Sequence, residues 1–448
     1  MPKPVGARWR ADHSTTLGCR PCVWTTFCIS PKLPFFASRE SIANAVNLIA
    51  IKSGSLLGSL TYRHASLANC QKRLADRYAL EPEIDLQGYT CRAVIDWISI
   101  RLRLQAETQH QWLQRIVAPF LGRKAHIDAL DERPGGVSDH FELRIQEPDI
   151  LAVRRICRAI NEKYALQAQP IVDAIEISID FTPKEPDDVA RAKLLTVLVR
   201  HFQPSRDVMS NRLDRPRFTF GRGAGMTVGV LGHRTTAGDT DHFLISTAMD
   251  RQPYVDATYY VGAEDAGMRW RVMDKVLDRQ NHEAGTRLEL DDAKKRTRIE
   301  VTLDRSEITA LGVNYLNDLA QFPFSRLQNR AFKFMLPSFH DPARLRASWR
   351  TAIKVSRDQE RMQKFLNAGV IGVMAMDGAL GHQVKALRKR SKGDFAERGL
   401  KLKLPPRVGK GSSGTFVAYE ALNARIGVAL RHLGERVATA FSVVDEEL

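Results

Sequence analysis

The chain has 448 residues, of which 44% are hydrophobic, so it has enough apolar material for a sizeable core and is not a disordered chain. Its 67 Lys and Arg residues exceed its 51 Asp and Glu residues, and the net charge of +16 favours a polyanionic partner such as nucleic acid. No apolar run approaches the roughly 18 to 20 residues that cross a bilayer, and no signal peptide is recognisable, so we expect a cytoplasmic protein without a membrane partner.

The N-terminal region, residues 1–85, is expected to be an accessory region with an irregular start. Ile42, Val46 and Ile49 fall close to helical spacing, so a helix is predicted over residues 38–78. The region could contact DNA, pack on the core or be in part a translated leader, and the sequence leaves these alternatives open.

The core region, residues 86–340, mixes predicted strands with predicted helices. Apolar residues at every second position indicate strands, and apolar residues at helical spacing indicate helices. The predicted strands cover residues 93–104, 140–145, 175–181, 217–220, 242–246, 257–262, 268–273 and 298–303, and the predicted helices cover residues 149–164, 188–201, 314–319 and 325–336. This order favours an α+β fold, with helices packed on a mostly antiparallel sheet and further helical segments at both ends of the chain.

Two of these strands, residues 175–181 and 298–303, carry carboxylates at alternate positions. Successive side chains of a strand point to opposite faces, so Glu176 and Asp180 share one face of the first strand. Glu300 has the equivalent position on the second strand. Three carboxylates on one sheet surface would suit a hard divalent cation, Mg²⁺ or Mn²⁺. The same alternation is also typical of any half-exposed antiparallel strand, and that alternative stays open.

Residues 259–275 are predicted to form a hairpin whose turn lies near residues 265–267. With the turn centred there, Tyr260 lies opposite Arg271 and faces the same side of the sheet, whereas Tyr259 faces the other side. A slip of one residue in the pairing would exchange the two tyrosines.

The C-terminal region, residues 341–448, is predicted to be basic and mainly helical, with a last helix over residues 414–441. Its segment 385–410 is rich in Lys and Arg and ends in a run of Gly and Ser. Such a segment either binds DNA phosphates or is a solvated charged face of a helix. The residues that would bind DNA are Arg388, Lys389, Arg390 and Lys392.

Taken in order, several of these runs resemble the Rep_trans family of rolling-circle replication initiation factors of plasmids, filamentous phages and integrative elements. The runs are residues 173–181, residues 260–262 with 271–275, residues 298–301 and residues 329–336. The resemblance covers residues 93–336 and rests on the order and spacing of the runs rather than on any single one.

This resemblance implies a bacterial replication initiator with a sheet-based nuclease core. Such a protein binds an origin of replication and acts as a nicking-closing endonuclease, topoisomerase-like, on one DNA strand through a tyrosine and Mg²⁺ or Mn²⁺. By matching position, Glu176, Asp180 and Glu300 would be the metal ligands. Arg271, Lys275 and Arg298 would hold phosphate groups.

One residue departs from the family pattern, because Met273 occupies the position of the nucleophilic tyrosine. A thioether cannot attack a phosphate, so another tyrosine must substitute or the chain has lost cleavage. The candidate nucleophiles are Tyr260, which is preferred, and Tyr259 and Tyr315, which rank equally behind it.

Three functions therefore remain open from the sequence: an origin-nicking enzyme, a non-catalytic origin-binding or regulatory protein on the same scaffold, and an RNA-binding protein. The last is supported by net charge alone and would leave the carboxylates without a role.

No Gly-x-x-x-x-Gly-Lys-Ser/Thr loop is present, so unwinding would come from a host helicase acting with a host polymerase. A homodimer is one assembly consistent with the resemblance.

Overall fold

A computed structural model describes residues 44–50, 55–67, 74–220, 227–230, 255–281, 286–400 and 415–446. The strands are β1 (Ala45–Ala50), β2 (Ser55–Ser66), β3 (Arg77–Pro82), β4 (Tyr89–Thr108), β5 (His126–Ala129), β6 (Ser138–Gln146), β7 (Ile171–Pro183), β8 (Arg217–Phe220), β9 (Thr227–Val230), β10 (Thr258–Val261), β11 (Met268–Lys275), β12 (Leu277–Asn281), β13 (Thr286–Glu289), β14 (Arg296–Leu303), β15 (Met335–His340) and β16 (Phe416–Ala418). The α-helices are α1 (His110–Leu121), α2 (Ile150–Tyr164), α3 (Asp188–His201), α4 (Arg305–Ala310), α5 (Arg326–Ala331), α6 (Trp349–Glu397) and α7 (Glu420–Glu446).

The largest sheet has nine strands in the order β5-β6-β4-β7-β14-β11-β10-β8-β9. Every neighbouring pair in it is antiparallel. A second antiparallel sheet has the order β1-β2-β3-β15-β16, and β12 pairs with β13. The α+β fold predicted from the sequence is confirmed.

The two faces of the nine-stranded sheet differ in chemistry. On one face Ile177, Ile179 and Ile299 are fully buried beneath helices, and the indole Nε1 of Trp270 donates to the carbonyl of Ala331 in α5 at 2.8 Å. The other face carries the charged residues of the same strands. A one-sided antiparallel sheet of this kind can keep a polar surface without losing its core.

Several predicted elements are confirmed. The strand at residues 93–104 is part of the longer β4, and the strand at residues 217–220 is β8. The helix at residues 149–164 is α2, whose N-cap Asp149 accepts a hydrogen bond from the amide of Leu151 at 3.1 Å. The helix at residues 188–201 has the predicted bounds. The strand predicted at residues 242–246 lies outside the described residues.

The helix predicted over residues 38–78 is wrong, because its described part forms β1, β2 and the start of β3. Val46, Leu48 and Ala50 are all buried and lie two residues apart, which is strand periodicity. The apparent helical spacing of Val46 and Ile49 arose because apolar residues occur on both faces of this strand.

The helix predicted over residues 325–336 is also too long. It ends at Ala331, and the chain then enters strand β15, which contains Pro337. Proline lacks the amide hydrogen that a helix interior needs, and in β15 Pro337 pairs with Phe416 of β16 but precedes the residues that pair with β3. The helix predicted over residues 314–319 is a short 3-10 helix, Leu316–Ala320.

The C-terminal helices contact the central elements. Helix α6 changes direction at Gly369, whose φ of +67° and ψ of −166° are non-helical. A Cβ at this glycine would lie 2.6 Å from the carbonyl oxygen of Arg200, so α6 passes close to α3 here. Helix α7 lies beside α2, where Arg154 donates to the carbonyl of Ala440 at 3.1 Å. The three-region division of the chain remains a prediction.

No α-helix within the described residues combines the length and the apolarity needed to cross a membrane.

A buried ionic group attaches α6 to the second sheet. Asp358 of α6 accepts a hydrogen bond from the amide of His340 at 2.7 Å, and its carboxylate lies 2.8 Å from the imidazole of His340 and 2.8 Å from Arg361. Burial alone would raise the pKa of Asp358, but the hydrogen bonds from His340 and the charges of Arg361 and Arg77 outweigh it and lower the pKa.

Replacing Asp358 by Asn is expected to destabilise the protein by about 1.5 to 3 kcal/mol at neutral pH. A carboxyl whose pKa is lowered by folding stabilises the fold above its unfolded pKa and loses that contribution as pH falls through the folded pKa. The difference between the two proteins in denaturant unfolding should therefore be full at pH 7 and shrink below about pH 4. The exposed neighbour Glu360, changed to Gln, is the control, and an equal loss in both variants would contradict the role of Asp358.

Candidate active site

The polar face of the nine-stranded sheet gathers carboxylates and basic residues from four neighbouring strands. In β7 and β14, Glu176 pairs with Thr302, and Glu300 pairs with Ser178. Across the next strand pair, Glu300 lies opposite Arg271 of β11. Because paired residues project to the same face, Glu176, Glu300 and Arg271 are neighbours on the polar face, where both carboxylates are buried.

A third carboxylate comes from Asp96 in β4, which the sequence analysis did not identify. Ile95 pairs with Ile177 and Trp97 pairs with Glu176, so Asp96 is an additional residue without a partner in β7. This is the geometry of a β-bulge, which changes the direction in which a side chain points. The bulge brings Asp96 to Glu176 and Glu300, and ligand oxygens of the three carboxylates lie within 4.8 Å of one another.

Asp180, a predicted metal ligand, does not join this cluster. Its two oxygens accept hydrogen bonds from Nε and Nη2 of Arg298 at 2.5 and 2.7 Å, and Arg296 lies 3.0 Å away. This bidentate pairing is the geometry that arginine and carboxylate groups favour. Asp180 therefore neutralises arginines beside the cluster.

Arg298, predicted to bind DNA, is buried with only 2% of its surface exposed. Besides Asp180, it donates from Nη1 to Asp96 and, at 3.3 Å, to Glu300. The guanidinium is thus surrounded by three carboxylates, which it holds in place. These contacts argue against binding of a phosphate by Arg298, whose DNA-binding role remains a prediction.

The surroundings of the Glu176 carboxylate would favour binding of a cation in addition to Arg271. Its carboxylate accepts a hydrogen bond from the hydroxyl of Thr302 at 2.6 Å and lies 3.6 Å from Nη2 of Arg271. Nε of the same arginine donates to Glu300. Burial, followed by the negative charge of Glu300, nevertheless raises the pKa of Glu176. A divalent ion at this position would stabilise the charged form of the carboxylate.

The residues present fit Mg²⁺ or Mn²⁺ in their donor chemistry, because these ions favour carboxylate oxygens. Asp96, Glu176 and Glu300 would hold the ion, and Arg271 and Arg298 would orient the carboxylates from outside. Because the two arginines already offset much of the negative charge, a divalent ion would make this surface net positive and attractive to a phosphate group.

Lys275 lies on the same face at the end of β11, opposite Arg296. Among the described residues it has no carboxylate within ion-pair distance. Burial, with the nearby charge of Arg298, lowers the pKa of Lys275. The lower pKa makes the ammonium group of Lys275 a stronger acid than that of a surface lysine.

Of the three candidate tyrosines, Tyr260 lies closest to this group of residues. It pairs with Arg271 as predicted, and the guanidinium of Arg217 lies 5.3 Å from the centroid of its ring. Tyr259 projects into the core, with 6% of its surface exposed, and burial raises the pKa of its hydroxyl. Tyr315 is 40% exposed but pairs with Ile171 of β7, five residues and about 16 Å along the strand from Glu176.

Met273 lies in β11 opposite Arg298, so it faces the carboxylates. The predicted DNA-binding residues of the C-terminal region lie in the last part of α6, where Arg388 is half-buried and the other three are exposed. These three exposed residues are Lys389, Arg390 and Lys392. A role of all four residues in DNA binding remains a prediction.

A cleft of about 800 Å³ lies next to the carboxylates. Asp96 and Asp180 line one side of it, and side chains of α7, including Arg436, line the other. The cleft is polar and is large enough for part of an extended ligand.

No protein-family model matches this sequence, and no curated protein matches it. Among solved structures, the chain is similar to a rolling circle replication initiator protein from Geobacillus stearothermophilus, with 11% sequence identity, a TM-score of 0.25, and coverage of 58% of this chain and 89% of that chain. It is also similar to an aspartate kinase from Synechocystis, with 11% identity, a TM-score of 0.15, and coverage of 71% of this chain and 57% of that chain. Neither similarity is high enough to support a functional conclusion.

Proposed function

We propose that this protein initiates replication of a bacterial mobile element by cutting and rejoining one DNA strand at a rolling-circle origin. The observation that carries the proposal is the cluster of Asp96, Glu176 and Glu300 on the polar face of the sheet, with Arg271 and Lys275 on the same face of β11. The ordered runs that resemble the Rep_trans family suggest the substrate, and the net charge of +16 agrees with a nucleic acid partner.

In this proposal Tyr260 attacks the scissile phosphate. Its oxygen forms a bond to phosphorus while the bond to the 3′ oxygen breaks, which leaves a 5′ phosphotyrosine and a 3′ hydroxyl. The phosphotyrosine bond retains the energy of the phosphodiester, so the strand can be rejoined without ATP. The divalent ion, when bound, supplies polarisation of the phosphate oxygens.

The protein's own residues have separate tasks. Asp96, Glu176 and Glu300 hold the ion, and Arg271 orients two of these carboxylates and faces the incoming phosphate. Lys275, four residues along β11 from Arg271, would offset the charge of a neighbouring phosphate, while solvent water takes the proton of the tyrosine hydroxyl and supplies one to the leaving 3′ oxygen. A host helicase and polymerase would then extend the 3′ hydroxyl.

A second candidate function is origin binding without cleavage. Met273 favours it, because this residue occupies the position at which the resembled family has its nucleophile and faces Arg298. The carboxylates argue against it, because a DNA-binding surface gains nothing from negative charge unless that charge holds a cation.

Incubation with Mn²⁺ and supercoiled DNA from the region that flanks the protein's own coding sequence is expected to give a relaxed product and a covalent protein–DNA adduct. Mass spectrometry of the adduct should identify Tyr260, because this tyrosine lies on the same face as the carboxylates. Tyr260→Phe should lose the adduct, whereas Tyr315→Phe, the control, should retain it. DNA that is bound and never cut by the wild-type protein would instead establish the second candidate function.

A further inference from the structure

The cleft beside the carboxylates lies where the sheet changes its pairing. Strand β6 pairs with β4 only over residues 97–108, so no strand of the described part of the chain pairs with residues 89–96 of β4 on that side. Helix α7 lies there instead, and Nη2 of Arg436 donates to the carbonyl of Ala93 at 2.5 Å. The amide of Glu147 donates to the carbonyl of Asp96. The carbonyl groups of Ala93 and Asp96 at this edge therefore already have hydrogen-bond donors within the protein. A ligand in the cleft would contact side chains rather than these carbonyl groups.

Two arginines from different elements face this cleft, Arg92 of β4 and Arg436 of α7. Neither has an ion pair with a carboxylate among the described residues. The other arginines that line the cleft, Arg296 and Arg298, are both paired with Asp180. The cleft therefore combines two arginines that are paired with Asp180 and two that have no ion pair among the described residues. Glu147 and Asp149 also line it, and Glu435 acts on the charge of Arg436.

The positive charges of Arg92 and Arg436 oppose each other across the cleft. Burial, followed by the positive charge of Arg92, lowers the pKa of Arg436. Two like charges held at one cleft are unfavourable unless an anion lies between them, and a phosphate group accepts hydrogen bonds from two guanidinium groups at once.

The position of the pair indicates which phosphate it would bind. Arg92 lies four residues before Asp96 on the same strand, about 13 Å away along β4. A cleft of about 800 Å³ can take part of a single strand but is too small for a duplex. A strand that reaches the carboxylates would therefore cross Arg92 and Arg436 within a few nucleotides.

We propose that Arg92 and Arg436 together bind one backbone phosphate of single-stranded DNA next to the site of cleavage. This inference rests on the proposed function for the nature of the ligand. It assigns α7, rather than the basic end of α6, to the positioning of the strand, and it identifies Arg436 and Arg92 as positioning residues that do not touch the reacting atoms.

The test is equilibrium binding of a single-stranded oligonucleotide of mixed sequence over a range of salt concentrations, with EDTA present so that neither metal nor cleavage contributes. Arg92→Gln and Arg436→Gln are each expected to weaken binding about tenfold. Each should also reduce the slope of log K against log salt by about 0.7, the value for one phosphate of a single strand. The double variant should lose no more slope than either single variant, because both residues bind the same phosphate.

Arg431→Gln is the matched control, because Arg431 is an exposed arginine of the same helix that does not line the cleft. Arg436→Lys should retain the slope, and thermal unfolding of each variant should match the wild type. If Arg92→Gln and Arg436→Gln behave like Arg431→Gln, the phosphate site is wrong. A reduced slope in a protein that never cuts DNA would keep the phosphate site and overturn only the cleavage part of the proposed function.

Discussion

Asp96→Asn is expected to lower the rate of Mn²⁺-dependent DNA nicking at least about a hundredfold. The substitution keeps the size of the side chain and one oxygen that can accept from Arg298, but it removes one of the three negative charges that would hold the ion. A bound metal contributes several kcal/mol to a phosphoryl transition state, and each 1.36 kcal/mol is a factor of ten in rate. Asp96 is also the most exposed of the three carboxylates, so its replacement disturbs the fold least.

A second measurement separates metal binding from catalysis. Mn²⁺ should raise the unfolding temperature of the wild-type protein, because a ligand that binds only the folded state stabilises it, and the increase should be lost in Asp96→Asn. The control is Asp173→Asn, which removes a carboxylate of β7 that pairs with Arg101 at 2.8 Å outside the cluster. Nicking by Asp96→Asn at the wild-type rate, or an unchanged effect of Mn²⁺ on its unfolding, would show that Asp96 is not a ligand.

The carboxylates of β7 and β14 could be predicted because alternation within a strand is a local property. The sequence placed Glu176 and Glu300 on one face, and the pairing of Tyr260 with Arg271 followed from the position of a turn. These features depend on the chain within about ten residues. Once β7 pairs with β14, the register places Glu176 and Glu300 close together on the same face.

Asp96 was missed because its position depends on a bulge, which inserts one residue into the alternation. The sequence does contain the signal: the apolar residues Ala93 and Ile95 lie two residues apart, but the next buried apolar residues are Ile98 and Ile100. The step of three between Ile95 and Ile98 marks a change of phase, and a lone carboxylate within that step is a reason to suspect a bulge beside a functional site.

The roles of Asp180 and Arg298 could not be predicted, because they depend on which partner each charged group finds in space. Residues 180 and 298 are far apart in the chain and meet only when β7 and β14 pair. A strand pattern identifies the face of a charged side chain, but it does not distinguish an arginine that binds a phosphate from one that neutralises a carboxylate. Only the burial and contacts of Arg298 make that distinction.

Arg298→Met is expected to destabilise the protein by about 3 to 5 kcal/mol at neutral pH, the range for the loss of one partner of a buried ion pair. Methionine fills a similar volume but leaves Asp180, Asp96 and Glu300 without the cation that they share. The three carboxylates then remain together without their shared cation, and this uncompensated charge is the source of the destabilisation. Denaturant unfolding of both proteins at pH 7 measures the effect.

Arg101→Met is the matched control, because Arg101 pairs with Asp173 on the same sheet with 41% of its side chain exposed, and such a pair contributes at most about 1 kcal/mol. The two possible roles of Arg298 predict different results for Arg298→Met. If Arg298 binds a phosphate, the variant protein loses DNA affinity and salt slope with little change in stability. If Arg298 holds the carboxylates, the variant protein loses stability first. Saturating Mn²⁺ should restore part of the stability of Arg298→Met, since the ion would replace the missing positive charge between Asp96 and Glu300. Stability equal to that of Arg101→Met, together with weakened DNA binding, would return Arg298 to the phosphate-binding role predicted from the sequence.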